Sequence, residues 1–307
     1  MGEVWRAAHV TLPMQVAVKV LLAKALGFRE IAGRFEREAL LLCLIHGEHM
    51  PRALDFLHDD VYGPVLVTEL VEGESLATVL ARPLSVEDAI DLGIDLATGL
   101  GELHRAHVVH RDLKPSNVIL RPIANGRTRA VIIDLGVSLL VEDDPLPPNE
   151  ANDISTIDLV VGTVAYMAPE QILRCGEVTA AADLYALGAL LFRAVTGGPV
   201  FGQGLERLEL VRTKLTCEAP ALLTGRHDRV AEGLAAVVAH ALERDPARRY
   251  QSAEELRTDL FHLRRIASER AARASARTGA RPACSDSSGP FSAIRETVRT
   301  VFRRLTA

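Results

Sequence analysis

No apolar run in the sequence approaches the roughly 18 to 20 residues needed to cross a bilayer, and no signal-peptide pattern opens it. Only four cysteines occur, Cys43, Cys175, Cys217 and Cys284, far apart and with no Cys-x-x-Cys spacing. That scarcity argues against a disulfide framework or a zinc site and for reduced thiols in the cytosol. There is no strong excess of one charge either. A formal net charge of −5 gives no reason to expect nucleic acid or an anionic membrane as the main partner. What is left is the expectation of a soluble, cytoplasmic protein. At 307 residues it can bury a sizeable core and divide into two domains.

What is present is concentrated in two places. The first is His110-Arg111-Asp112-Leu113-Lys114-Pro115-Ser116-Asn117, and the second is Asp134-Leu135-Gly136. In-line transfer of a γ-phosphoryl group needs a carboxylate near the attacking hydroxyl, a cation near the transferred charge, and oxygen ligands for magnesium. Asp112, Lys114 and the pair Asn117/Asp134 have that chemistry, in that order along the chain. A lone His-Arg-Asp is an ordinary solvated turn. The full run, with Lys114 and Asn117 following, is much more specific. On these motifs the chain resembles a bacterial eukaryotic-like Ser/Thr protein kinase of the Hanks type, over roughly residues 1–265.

The resemblance implies an α+β, two-lobed kinase-like fold, with a small, mainly antiparallel β lobe and a large, mainly helical lobe. The implied division is 1–71 and 72–266, with ATP in the cleft between. Gly2 and Val4 fall in the second half of the family's Gly-x-Gly-x-x-Gly-x-Val phosphate loop. The two earlier glycines, which let backbone approach phosphate without a Cβ in the way, and the strand before them are expected upstream of Met1. The run Gln15-Val16-Ala17-Val18-Lys19-Val20-Leu21 alternates about β-branched residues and reads as a strand. Taken alone, Lys19 is a solvated strand charge. In the family it holds the α- and β-phosphates, and Glu38, in a following stretch of helical spacing, pairs with it. Thr68 then falls at the gatekeeper position. Backbone of Glu69 and Val71 meets the adenine edge, and Val4, Ala17 and Ile119 sandwich the base, although each of these three is equally at home as core packing.

In the large lobe, apolar positions over residues 85–104 mark an amphipathic helix. Ser85 and Asp88 lie at capping-box spacing, and Glu87 adds a second carboxylate to the first turn. By resemblance, Asp112 accepts the substrate hydroxyl proton and Lys114 neutralises the phosphoryl group and marks Ser/Thr specificity. Asn117 and Asp134 hold Mg2+, with Mn2+ as a substitute, and Leu135 stands where the family usually has Phe. Arg111 would bind a phosphate carried by Ser155 or Thr156, which lie beyond an acidic, proline-bearing loop at 142–153. Thr163 would bond the catalytic Asp and Lys, Glu170 of Ala168-Pro169-Glu170 would pair with Arg249, and Asp183 would brace the catalytic loop. His104, His107 and His110 raise a metal site by their spacing. Against it, the loop reading already uses His110, and nothing supplies a fourth ligand.

After residue 266 the composition turns to Ala, Arg, Ser and Gly, and residues 267–290 read as a flexible linker. Residues 291–307 then repeat apolar side chains at helical spacing between arginines, a basic amphipathic helix. It suits docking on the kinase body or self-association, with an anionic membrane surface as the other reading. The expectation for the whole is an ATP-dependent, non-specific protein Ser/Thr kinase acting on protein substrates and regulated by autophosphorylation. Its rivals are a kinase-like scaffold impaired at the phosphate loop, and a small-molecule phosphotransferase. The Gly-Thr-x-x-Tyr-Met-Ala-Pro-Glu segment, a peptide-binding surface in protein kinases, argues against the last.

Overall fold

A computed structural model describes residues 2–9, 11–21, 29–45, 47–60, 62–135, 161–173, 178–202 and 204–277. Ser155, Thr156, Gly136 and residues 278–307 lie outside them. So do the expected acidic loop and the terminal amphipathic helix.

The small lobe is a sheet with one helix on it. Strands β1 (Gly2–Ala8) and β2 (Gln15–Leu21) pair antiparallel, with Val4 opposite Lys19. Helix α1 (Arg29–Leu44) follows, then β3 (Ala53–Asp59) and β4 (Gly63–Glu69). The strand order is β1-β2-β4-β3, with Ala17 opposite Thr68. Among the described side chains of α1, Phe35, Glu38, Ala39 and Leu42 are buried, recurring at the three- and four-residue spacing of one helix face. Glu38, 7% exposed, is thus a carboxylate set inside an apolar stripe. Such a group needs a cationic partner.

The large lobe begins with β5 (Glu74–Ser75) and the single-turn α2 (Leu76–Val79), then α3 (Val86–Arg105). The Ser85 side chain accepts the Asp88 amide at 3.0 Å and donates to its carboxylate at 2.7 Å, closing the first turn of α3. Strands β6 (Val118–Pro122) and β7 (Thr128–Ile132) form a three-stranded sheet with β5. After them come α4 (Val161–Val164), α5 (Pro169–Leu173), α6 (Ala180–Thr196), α7 (Arg207–Thr216), α8 (Arg229–Ala241) and α9 (Ala253–Arg277).

Helix α6 is apolar nearly all round and lies at the centre of the lobe, packed on α3 and α8. Gly188 permits this approach, since a Cβ there would meet the Ala241 Cβ at 2.8 Å. Helix α9 corrects the expected boundary at 267, because residues 267–277 continue it. Alanine and arginine are strong helix formers, so a shift toward them need not end a helix. Ala267 is buried, and Arg270 pairs with Asp228 at 2.9 Å.

Candidate active site

Two groups of side chains meet at the cleft. From the small lobe, β2 carries Lys19 and α1 carries Glu38; the Lys19 Nζ lies 2.6 and 2.8 Å from the two Glu38 oxygens. From the large lobe, Asp134 follows β7 and places Oδ1 2.8 Å from the same nitrogen. Two carboxylates therefore share one ammonium. Burial pushes the Glu38 carboxyl up to about 7, Asp134 adds to the rise, and Lys19 opposes it. Burial by itself would lower the Lys19 ammonium, but the Glu38 and Asp134 charges outweigh it and hold the group up.

The loop at 110–117 is held by its neighbours in the large lobe. Asp183, in the first turn of α6 and 1% exposed, accepts the His110 amide on Oδ2 and the Arg111 amide on Oδ1, both at 2.8 Å. His104 Nε2 lies 2.8 Å from the same Oδ2. Arg111 adopts a left-handed φ of 66°, an uncommon conformation for a side-chain-bearing residue that these bonds help secure. His110 is buried and its Nδ1 accepts the Asp112 amide at 3.2 Å. His104 and His110 are thus engaged in separate hydrogen bonds.

A short 3₁₀ turn, Pro115–Asn117, bends the chain back toward the loop. Lys114 Nζ reaches Asp112 Oδ2 at 2.6 Å, and Asn117 Nδ2 reaches the same oxygen at 3.2 Å and the Asp112 carbonyl at 3.0 Å. Among the described residues, Asp112 Oδ1 has no partner. Thr163 Oγ lies 3.3 Å from Lys114 Nζ. Asn117 turns its amide nitrogen to Asp112, its side-chain oxygen accepts from Ser116 Oγ at 3.4 Å, and the Asp134 carboxylate is half-exposed. Hard oxygen donors of this kind fit Mg2+.

At the end of β4, the Glu69 amide donates to the Arg52 carbonyl at 2.8 Å and the Glu69 carboxylate pairs with Arg121 at 2.7 Å. Thr68 Oγ donates to the Glu69 carbonyl at 3.4 Å, and Val71 is buried. Gly2 pairs with Leu21 and Val4 is 66% exposed; Ala17 and Ile119, on β2 and β6, are half-buried. Leu135 is 2% exposed, an apolar plug beneath Asp134.

Residues 163–170 are fixed to the large lobe. Arg249 donates to both Glu170 oxygens at 2.7 and 2.8 Å, and to the Ala181 carbonyl at 3.1 Å. Three further contacts have no counterpart in the motif reading. Gln171 bridges the Ala168 amide and the Arg111 carbonyl at 2.9 and 2.8 Å. Arg193 donates to the Tyr166 hydroxyl at 2.9 Å. Lys214 donates to three main-chain carbonyls from inside the lobe. Only Gln171 gave a signal, through its place beside Glu170.

A family model described as the protein kinase domain matches residues 1–261. The chain belongs to the protein kinase family. It is 36% identical over 263 residues to the serine/threonine-protein kinase pkn2 of Myxococcus xanthus, covering 83% of this chain and 30% of that one. With the serine/threonine-protein kinase PknB of Mycobacterium tuberculosis it shares 30% over 269 residues, covering 86% and 41%. This kinase-family chain spans less than half the length of these curated relatives. The crystal structure of the M. tuberculosis PknI kinase domain matches the fold, with a TM-score of 0.60 and 23% identity, covering 86% of this chain and 91% of that one.

Proposed function

We propose that this chain transfers the γ-phosphoryl group of ATP to Ser and Thr hydroxyls of proteins, as a non-specific serine/threonine protein kinase. The observation that carries the reading is the state of Asp112. Lys114 and Asn117 both occupy Oδ2, which leaves Oδ1 to accept the proton of an incoming hydroxyl. The hydroxyl oxygen then bonds to the γ-phosphorus while the bond to the β,γ-bridging oxygen breaks, and ADP leaves. Lys114, touching Asp112, offsets charge on the moving phosphoryl group, and Lys19 holds the non-transferred phosphates. Mg2+ held by Asn117 and Asp134 would neutralise the phosphate oxygens. Lys19 also links Glu38 to Asp134, so the seating of α1 and the order of the phosphate site go together.

Val4, Ala17, Ile119 and the backbone of Glu69 and Val71 would take the adenine. Phosphate on Ser155 or Thr156 would order the activation segment against Arg111. Among the described residues no helix is long and apolar enough to cross a membrane, which suits action in the cytoplasm. A non-catalytic scaffold is not favoured, since Lys19, Glu38, Asp112, Asn117 and Asp134 are all present and assembled. The test is incubation with γ-labelled ATP, magnesium and a mixed protein substrate, followed by phosphoamino-acid analysis. Label on phosphoserine and phosphothreonine is expected; no label, or label only on small molecules, overturns the reading.

A further inference from the structure

Helix α7 carries a lysine whose surroundings no surface role explains. Lys214 is 1% exposed, and its Nζ donates to the carbonyl oxygens of Val164 at 2.9 Å, Ala165 at 3.0 Å and Met167 at 2.6 Å. An ammonium has three N–H groups, and here each has one carbonyl. The Tyr185 ring centroid lies 5.1 Å away. No carboxylate reaches ion-pair distance among the described residues, because Glu170 is committed to Arg249. Burial pushes the Lys214 ammonium down to about 7, with Arg249 acting in the same direction and Glu170 opposing. The three carbonyls favour the charged form.

The carbonyls belong to one stretch of chain. Thr163, at its start, touches Lys114 of the catalytic loop, and Glu170, at its end, is gripped by Arg249. Between these side-chain contacts, Lys214 fixes the peptide groups of residues 164, 165 and 167 by their main chain. Turning three carbonyls inward sets the backbone conformation of the stretch. It does so from α7, without involving Lys19, Glu38 or Asp134. Resting on the kinase reading, we propose that Lys214 is a positioning residue for the protein substrate, holding residues 164–167 in the conformation that receives a polypeptide beside Asp112.

The placement separates its effect from that of the nucleotide site. Lys214→Met keeps the length and apolar stem of the side chain but leaves three buried carbonyls without donors, whereas Lys214→Arg keeps charge and donors. In the full chain, Lys214→Met should raise the KM for a peptide substrate on the order of tenfold and leave the KM for ATP within about twofold. Amide hydrogen exchange at residues 163–168 should quicken on the order of tenfold while α6 stays protected. Lys214→Arg should lie closer to wild type on both measures. Unchanged peptide KM and exchange in Lys214→Met would overturn the proposal. So would a parallel rise of both KM values with loss of protection in α6, the mark of general destabilisation. If wild type transfers no phosphate, the kinase reading fails, and unchanged exchange at 163–168 in Lys214→Met would still refute the tether.

Discussion

The Arg249 guanidinium grips the Glu170 carboxylate through two parallel hydrogen bonds, 2.7 and 2.8 Å long, with the Arg249 side chain wholly out of solvent. It joins the end of the segment at 163–170 to the loop before α9. Removing one partner leaves a buried charge alone. Glu170→Ala should therefore lower stability by about 3–5 kcal/mol. Chemical denaturation should show the midpoint falling with little change in slope. A loss under about 1 kcal/mol, the range of an exposed pair, would mean that the contact is dispensable.

Asp183 accepts two successive amides of the catalytic loop, one of them on a residue with left-handed backbone. Asp183→Ala leaves both without an acceptor, at roughly 1–3 kcal/mol each. The loop should shift, and kcat should fall on the order of tenfold or more with ATP affinity little changed. Asp183→Asn, which keeps one acceptor oxygen, should fall between. Steady-state kinetics with both variants decides the matter; an unaltered kcat in Asp183→Ala would detach this aspartate from loop geometry.

Glu38 gives a pH dependence with a definite sign. Its folded pKa is raised from 4.5 to about 7, so between those values the folded state keeps a proton that the unfolded state releases. The stability this contributes is fully present below 4.5 and lost as pH rises to about 7. Relative to Glu38→Gln, the wild type without nucleotide should lose up to roughly 3 kcal/mol across that window. Parallel stability curves for the two proteins would contradict the shift.

Autophosphorylation should place phosphate on Ser155 or Thr156, and mass spectrometry of active protein should find it there. Replacing both with Ala should lower activity on the order of tenfold or more, through lost charge-assisted bonds to the segment. Full activity in an unphosphorylated chain would leave Arg111 without that role.

The candidate site residues stood out in the sequence because their residue types lie in short runs. Asp112, Lys114 and Asn117 lie within six residues, and the turn at Pro115–Asn117 brings them together. The bounds of β2 were readable from β-branched alternation, and those of α3 from its cap. Contacts reaching far along the chain were harder. Lys214 lies on a helix with a weak apolar stripe, where a lysine reads as a solvated charge. Its three acceptors are backbone atoms, which leave no trace in side-chain identity. His104 was weighed only against metal binding, while its partner Asp183 lies on another helix. The end of α9 was misjudged because low apolar periodicity was taken for absence of structure. Alanine and arginine sustain a helix without it.

The most direct measurement is kcat for transfer of γ-phosphate from Mg-ATP to protein Ser and Thr, comparing wild type with Asp112→Asn. The substitution keeps the shape at Asp112 but removes the carboxylate proposed to take the hydroxyl proton. We predict a fall of about a hundredfold or more, with ATP binding retained. Near-normal turnover in Asp112→Asn, or none in wild type, would contradict the account.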